Sequence, residues 1–150
     1  MSWITLAEAD VLTVLSGPEL EGYRAAALAQ GQDDPVQPAI DDVTEEVRGF
    51  VAACAKNTLG PIGTIPSRLK TTALDLLAVR IPLRVARSPK SGRKDAAERS
   101  EARLKLVGEC KFSIADPTSD EGTSAESESS PSPSFRGRDR RDARREHSGL

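Results

Sequence analysis

Residues 36–57 read VQPAIDDVTEEVRGFVAACAKN, and the spacing of their apolar side chains decides the fold class. Apolar side chains recur there at steps of three and four residues, the repeat that lines one face of an α-helix. They are Ile40, Val43, Val47, Phe50, Val51 and Cys54. The charged residues of the opposite face, which we interpret as solvated, are Asp41, Asp42, Glu45, Glu46 and Arg48. We therefore predict a helix over residues 36–57 that is buried along one side.

Four further helices are predicted, two before and two after this one, because glycine, proline and polar turns separate the apolar repeats there. They cover residues 5–15, 18–30, 66–81 and 95–111. The first begins with the capping-box pattern Thr5-x-x-Glu8, and the fourth in chain order is apolar on most sides, so we place it at the centre of a bundle. Pro82 should end or kink that central helix, and residues 84–94 should form an exposed basic loop. The expected fold class is all-α, a small bundle of about four to five helices with an extended C-terminal arm.

Composition divides the chain into a helical body at residues 1–115, a linker at 116–134 and an arm at 135–150. A body of this size suits a single core. The linker is rich in serine, proline and acids, and it has too few apolar side chains to offset the entropy of ordering its backbone. We expect it to act as a tether with a reach of roughly 25 Å.

The arm begins FRGRDRRDARR, residues 135–145, and combines one aromatic side chain with six arginines. Guanidinium groups bind carboxylates and phosphates in a two-pronged geometry, so we predict that this segment docks on a partner. The candidate partner-binding residues are Phe135, Arg136, Arg138, Arg140, Arg141, Arg144, Arg145 and, as a weaker candidate, Leu150. Two alternatives stay open, a solubilising tail and a segment that contacts nucleic acid.

Charge is distributed unevenly along the body. Residues 1–46 carry ten acids and one base, whereas residues 47–115 carry fourteen bases and five acids. These charges either neutralise each other inside the bundle, or they join the acidic flank of one subunit to the basic flank of the next. The candidate inter-subunit residues are Asp41, Asp42, Glu45, Glu46, Arg84, Arg87, Arg93 and Lys94.

Residues typical of catalysis and of cofactor or metal binding are scarce. The single histidine of the sequence is His147, in the arm, where a catalytic base would have no fixed neighbours. The Gly60-Pro61-Ile62-Gly63 turn lacks the Lys and Ser/Thr of a phosphate-binding loop. We predict no enzyme activity, no cofactor and no metal. Cys54 and Cys110 are too few for a disulfide framework, which favours a reducing cytosol, and the longest apolar run is far too short and too interrupted to cross a bilayer.

The order of these segments resembles a known family. The features are the Thr5-capped first helix, the run Ala39-Ile40-Asp41-Asp42-Val43-Thr44-Glu45-Glu46-Val47, the turn Ile65-Pro66-Ser67-Arg68-Leu69-Lys70, the run Ala73-Leu74-Asp75-Leu76-Leu77-Ala78 and the closing Leu104, Val107 and Gly108. Together, over residues 4–114, they resemble the Mu-like bacteriophage head-tail joining proteins, also described as neck adaptor or head completion proteins.

The resemblance implies a structural connector of the virion, placed at the head-tail junction and assembled in the cytoplasm of a bacterial host. Such subunits form a homo-oligomeric ring of about twelve copies below the portal protein, and a closed ring repeats one contact between neighbours. The C-terminal arm would grip the portal, and the opposite face would recruit a neck stopper or tail protein. The ring could also touch packaged DNA without reading its sequence.

A small nucleic-acid-binding regulatory protein is the alternative function. It would use the arginines of residues 136–145 on phosphates and the basic residues 84–94 as a second contact, and its binding would weaken steeply with salt. Asp139, Asp142 and the acidic linker argue against it, because they repel the same phosphates.

Overall fold

The structure is a computed structural model that describes residues 3–114, 116 and 117. Its elements follow the order β1 (Trp3–Ile4), α1 (Glu8–Val11), α2 (Gly17–Ala29), α3 (Val36–Ala53), β2 (Ile65–Pro66), a 3₁₀ turn (Ser67–Leu69), α4 (Lys70–Arg84) and α5 (Ser91–Gly108). The described part is a small helical bundle, which confirms the predicted all-α class. The linker beyond residue 117 and the whole arm, with Phe135, its arginines and Leu150, lie outside the described residues.

Helices α3, α4 and α5 pack side by side and form the main core. The prediction that the fourth helix is central is confirmed, since α4 buries side chains around most of its circumference. The apolar stripe of α3 is buried at Ile40, Val43, Val47 and Val51, as its spacing predicts, and α5 contributes a narrower stripe. The buried apolar residues of α5 are Ala97, Leu104 and Val107, the same three expected from the sequence.

The predicted end of α3 at Asn57 is wrong by one helical turn. The helix ends at Ala53, and Cys54 has an extended backbone with φ −92° and ψ 110°. The Asn57 side chain donates a hydrogen bond to the Val51 carbonyl at 3.3 Å, and the Asn57 N–H donates to the Cys54 carbonyl at 2.9 Å. The chain therefore turns after α3 because a side-chain amide competes for a carbonyl of the last helical turn.

The predicted capping box at Thr5 is also wrong. Helix α1 begins at Glu8, with Ala7 as its N-cap, and the Asp10 carboxylate accepts a hydrogen bond from the Ala7 N–H at 3.1 Å. Lys70 of α4 lies 2.6 Å from the other Asp10 oxygen, and this hydrogen bond lowers the pKa of Asp10. Asp10 thus caps α1 at Ala7 through a local hydrogen bond, and its additional ion pair with Lys70 of α4 is invisible in the local sequence.

The stretch 84–94 is mostly exposed, as its composition predicts, but the loop within it is shorter than predicted. Helix α4 continues past Pro82 to Arg84, and α5 already begins at Ser91, so a short connection remains between the two helices. Pro82 lies in the last turn of α4, where its carbonyl accepts hydrogen bonds from Val85 and Arg87 and closes the helix. A proline this near the C-terminal end removes one helical hydrogen bond without stopping the helix earlier.

A short antiparallel strand pair, absent from the sequence-based prediction, ties the N-terminus to the chain segment before α4. Trp3 pairs with Pro66 and Ile4 with Ile65. The Trp3 ring packs on Gly60, where an added Cβ would lie 2.4 Å from the ring. Glycine is required at position 60 for this close approach.

The two cysteines, which did not suggest a disulfide in the sequence, are joined to each other. Cys54 follows α3 and Cys110 follows α5, and their Cα atoms are 5.2 Å apart. Cys110 has a left-handed backbone with φ 59°, and the Lys111 N–H returns to the Leu106 carbonyl at 2.9 Å. This helix-ending turn directs Cys110 toward α3, so the bond links the ends of two helices that already pack together.

Candidate functional site

The acidic face of α3 is partly neutralised by arginines of α4. Asp42 forms an ion pair with Arg84, whose guanidinium also donates to the Pro38 carbonyl at 3.3 Å. Glu46 forms a second ion pair with Arg80. For Asp42, Glu46 and Arg84 the charges thus meet within the chain, and a contact of these three with a neighbouring subunit stays a prediction.

Asp41 and Glu45, one helical turn apart on α3, point outward. The Asp41 carboxylate accepts a hydrogen bond from Gln37 at 2.8 Å, and Glu45 lies 3.8 Å from the Arg48 guanidinium. Both carboxylates are exposed to solvent. These two acids are therefore positioned to meet a basic surface of another molecule.

Glu19, in the first turn of α2, accepts hydrogen bonds from two cations at the start of α5. Arg93 donates to its carboxylate at 2.8 and 3.2 Å, and the Lys90 ammonium lies 2.9 Å away. Arg93 also donates to the Val14 carbonyl at 3.1 Å. The Arg93 hydrogen bonds, with that of Lys90, hold the pKa of Glu19 far below its usual range. Arg93, a candidate for contacts between subunits, thus joins α2 to α5 within one chain.

Arg87 and Lys94, the remaining basic candidates, have different surroundings. The Arg87 guanidinium lies over the Tyr23 ring, 5.9 Å from its centroid, which is a cation–π geometry. Lys94 is exposed on α5 and forms no ion pair within the described residues. Of the four basic candidates, Lys94 is the one whose charge stays open to another molecule.

Arg24 is the centre of a cluster that the sequence analysis did not single out. Arg24 is the single basic residue of the acidic segment 1–46. Its guanidinium forms ion pairs with Glu8 at 2.6 Å, Glu21 at 3.0 Å and Asp34 at 3.0 Å. The hydrogen bond that Arg24 donates to Glu8, with those to Glu21 and Asp34, raises the pKa of Arg24. One cation therefore fastens α1 and the turn at residue 34 to α2. Its isolation among ten acids was the available signal.

Arg48 does not lie on the solvated face to which its spacing assigns it. Its side chain is buried and donates to the Pro61 carbonyl at 2.8 Å and the Thr64 carbonyl at 2.7 Å, with a longer contact to Gly60 at 3.4 Å. A buried guanidinium needs acceptors on all its edges, and backbone carbonyls supply them here. The loop formed by residues 54–64, hereafter the 54–64 loop, is held in place by this arginine.

Two apolar features on the surface were also missed. Ile62, at the tip of the 54–64 loop, is 93% exposed, and its neighbour Leu59 is 42% exposed. Between α4 and α5 lies a groove of about 300 Å³. Its lining residues are Val79, Leu83, Pro89, Lys94, Ala97, Glu98 and Glu101. The sequence signal for the exposed loop residues was the apolar Pro61-Ile62 pair between two glycines. The groove has no such signal, because it depends on how α4 and α5 pack.

The chain leaves the body at a defined place. After α5 it turns back, Phe112 and Ile114 pack against the core, and the Arg68 guanidinium lies 5.3 Å from the centroid of the Phe112 ring. Arg68 also donates to the Ser113 carbonyl at 3.2 Å. The prediction that Phe112 and Ile114 close the body is confirmed, and residue 114 marks the point from which the linker extends.

Among residues 3–114, 116 and 117, histidine, cysteine, aspartate and glutamate side chains do not gather in groups of three or more that could hold a metal ion. None of the described helices is both long enough and apolar enough to span a membrane.

Comparison of the chain with protein-family models, curated proteins and solved structures finds no match.

Proposed function

We propose that this chain is a structural head-tail connector subunit of a tailed bacteriophage or a phage-like particle. In this proposal it forms a homo-oligomeric ring under the portal protein, its C-terminal arm docks on the portal, and its other face recruits the next neck or tail protein. The virion would then be its place of action, and packaged DNA would touch the ring without specific recognition. The resemblance of residues 4–114 to the Mu-like joining proteins supports the proposal.

The observation that carries the proposal is the anchored exit of the C-terminal segment. Arg68, Phe112 and Ser113 fix the last described turn against the body, so the linker starts from one known position beside the 3₁₀ turn before α4. A linker of nineteen residues adds a reach of roughly 25 Å from that position. An arm delivered from a fixed point has an effective concentration in roughly the mM range at nearby sites, which suits weak, repeated docking around a ring.

The charged groups of the body give further support. Four partly exposed groups with a shifted pKa, namely Asp10, Glu19, Arg24 and Arg93, take part in ion pairs between segments of the body. Functional sites often shift the pKa of a group that is left facing a cleft, whereas here the shifts accompany links between helices. These ion pairs hold the helices of the body together, as a structural subunit requires.

The direct test is removal of the arm. Deletion of residues 135–150 should leave the body folded, as judged by far-ultraviolet circular dichroism and thermal melting, and should prevent heads from joining tails in an assembly assay. A matched variant with all six arm arginines changed to lysine keeps the charge but loses the two-pronged geometry, and it should join heads to tails less efficiently. Normal joining by the deletion variant would contradict the proposal.

The alternative, a nucleic-acid-binding regulator, now depends on the arm, because the cations of residues 84–94 are largely engaged within the body. Arg84 and Arg93 form ion pairs and Arg87 lies over Tyr23. Tight DNA binding by the full chain, with a steep salt dependence that disappears on deletion of residues 135–150, would favour this alternative.

A further inference from the structure

Ile62 projects from the body with almost all of its surface in water. It is 93% exposed, whereas a side chain of this size is usually buried, and Leu59 in the same loop is 42% exposed. Single exposed apolar residues are common and need no explanation. The unusual point here is that two such residues share one loop tip.

The loop that carries Ile62 is held firmly. Arg48 donates hydrogen bonds to the carbonyls of Pro61 and Thr64, on both sides of Ile62. The Thr64 hydroxyl also donates to the Pro61 carbonyl at 2.7 Å, and the Trp3 ring packs on Gly60. An apolar residue presented on a fixed backbone loses little conformational entropy on binding, which favours its use as an anchor.

The groove between α4 and α5 is the matching concave feature. Its volume is about 300 Å³, and its apolar lining comes from Val79, Leu83, Pro89 and Ala97, of which Leu83 is 57% exposed. Its charged lining comes from Lys94, Glu98 and Glu101, which are exposed and form the rim. An apolar lining with a charged rim is the arrangement of a protein-docking site.

The two features lie at opposite ends of α5. The 54–64 loop begins at Cys54, which is bonded to Cys110 just beyond the C-terminal end of α5, whereas the groove lies along its N-terminal half. Ala97 and Cys110 are separated by about 20 Å along a helix that rises 1.5 Å per residue. The loop of a chain therefore does not reach its own groove.

Charge is complementary between the two surfaces. Glu98 and Glu101 form no ion pair within the described residues, and neither does Lys56, which is exposed in the 54–64 loop. Docking of the loop on the groove of another molecule would bring the ammonium group of Lys56 toward a rim with two free carboxylates and the one ammonium group of Lys94, which leaves the rim with a formal charge of −1. Such pairs at the edge of an interface mainly steer and orient the contact.

We propose that the 54–64 loop of one chain places Ile62 in the α4–α5 groove of a second copy. Because the two surfaces differ, the contact is heterologous and leaves one free loop and one free groove at the ends of each pair. Repetition of the contact produces a closed ring or a helical chain. This contact would be the one between neighbouring subunits of the ring, and it therefore rests on the ring formation in the proposed function.

Two variants of the full chain test the contact, with association measured by sedimentation velocity. Ile62→Arg removes the apolar anchor and Leu83→Arg blocks the groove, and each should weaken self-association at least tenfold, the scale of an interface hot spot. Both side chains are exposed, so the fold should be unaffected. The control is Leu28→Arg, which replaces a 78% exposed leucine on α2 and should associate like the unmodified chain.

Mixing the two variants gives the decisive result. Ile62→Arg keeps an intact groove and Leu83→Arg keeps an intact loop, so an equal mixture should form dimers that cannot extend further. A charge exchange adds a second measurement: Lys56→Glu should weaken association, and combination with Glu98→Lys should restore it. The contact is overturned if the unmodified chain stays monomeric, if either arginine variant associates normally, or if the mixture stays monomeric.

These outcomes are separate from those of the arm deletion. A monomeric chain would overturn the subunit contact but would leave the docking of the arm on a portal to its own assay. Normal head-tail joining without the arm would overturn the docking proposal, whereas self-association of the purified chain would still report on the loop and groove.

Discussion

The two connections that flank α3 are each held by one arginine, but by different chemistry. Before α3, Arg24 binds the Asp34 carboxylate in the turn and two more carboxylates from α1 and α2, and a quarter of its side chain is exposed. After α3, the buried Arg48 binds backbone carbonyls of the 54–64 loop. The contact of Arg48 with backbone carbonyls depends little on salt or on pH, whereas the contacts of Arg24 with carboxylates depend on both.

The disulfide at the start of the 54–64 loop should give the largest effect. Replacement of Cys54 and Cys110 by alanine opens a link between residues 56 positions apart, and the chain-entropy argument gives a loss of about 4 kcal/mol in the free energy of unfolding. Urea unfolding of the oxidised chain and of the double variant measures the difference. Equal midpoints for the two proteins would show that this bond does not stabilise the body.

Arg48→Ala should lower the free energy of unfolding by about 3 kcal/mol. The substitution leaves carbonyls of the loop without their hydrogen-bond donor and removes a buried side chain. Arg48→Lys should recover part of this loss, because one ammonium cannot follow the fork of a guanidinium. Thermal unfolding at low and high salt provides the measurement. The loss should be nearly the same at both salt concentrations, and a loss that disappears in high salt would contradict a buried clamp.

Gly60→Ala should cost about 2 kcal/mol, because the new methyl group would overlap the Trp3 ring and force it to move. Gly49, exposed on α3 with no neighbour within 4 Å of an added Cβ, is the matched control. Gly49→Ala should instead stabilise the chain by about 0.5–1 kcal/mol through helix propensity. Chemical unfolding measures whether each substitution raises or lowers the free energy of unfolding. Stabilisation by both substitutions would exclude the close contact at residue 60.

Arg24→Ala should cost about 1 kcal/mol, less than the Arg48 substitution, because its partners are solvated and exposed ion pairs contribute little. The loss should shrink as salt is added, since salt screens both the lost attraction and the repulsion left among three acids. Unfolding at several salt concentrations checks the trend. A salt-independent loss would mean that Arg24 acts mainly through packing.

Acid should weaken the carboxylate contacts and spare the carbonyl contacts. The pKa of Glu19 is lower in the folded chain than its unfolded value near 4.5, so its stabilising contribution is present above that pH and declines as the pH falls below it. The stability difference between the unmodified chain and Glu19→Gln should therefore narrow below pH 4.5 in urea unfolding measurements. The loss of stability caused by Arg48→Ala should not change with pH in this way, because carbonyls do not titrate in this range.

Much of the body could be predicted from local patterns. The three- and four-residue spacing located α3 and the buried stripe of α5. The apolar side chains on most sides of residues 69–81 placed α4 at the centre. Helix ends were less predictable, as the early end of α3 and the late end of α4 show. Asn57 bonds to the Val51 and Cys54 carbonyls at the end of α3, and the Pro82 carbonyl closes α4. The spacing of apolar residues carries no information about such hydrogen bonds.

The candidate surfaces divide in the same way. The charge asymmetry between residues 1–46 and 47–115 was visible in composition, but composition could not say that Asp42 meets Arg84 or that Glu19 meets Arg93 and Lys90. The groove at Leu83 exists only because α4 and α5 pack side by side with Pro89 between them. The arm at residues 135–150 was recognised from composition alone, and its docking stays a prediction.

By itself, the amino-acid sequence determined that this protein has a helical body with one core, because apolar periodicity and helix propensity act between residues a few positions apart. Only the tertiary structure decided where each charge goes. Arg24 and Arg48 are the same residue type on amphipathic helices, yet one binds carboxylates in partial contact with water and the other binds carbonyls in the interior. Electrostatic and hydrogen-bond energies depend on distance and burial in three dimensions, and neither quantity is written in the spacing of residues along the chain.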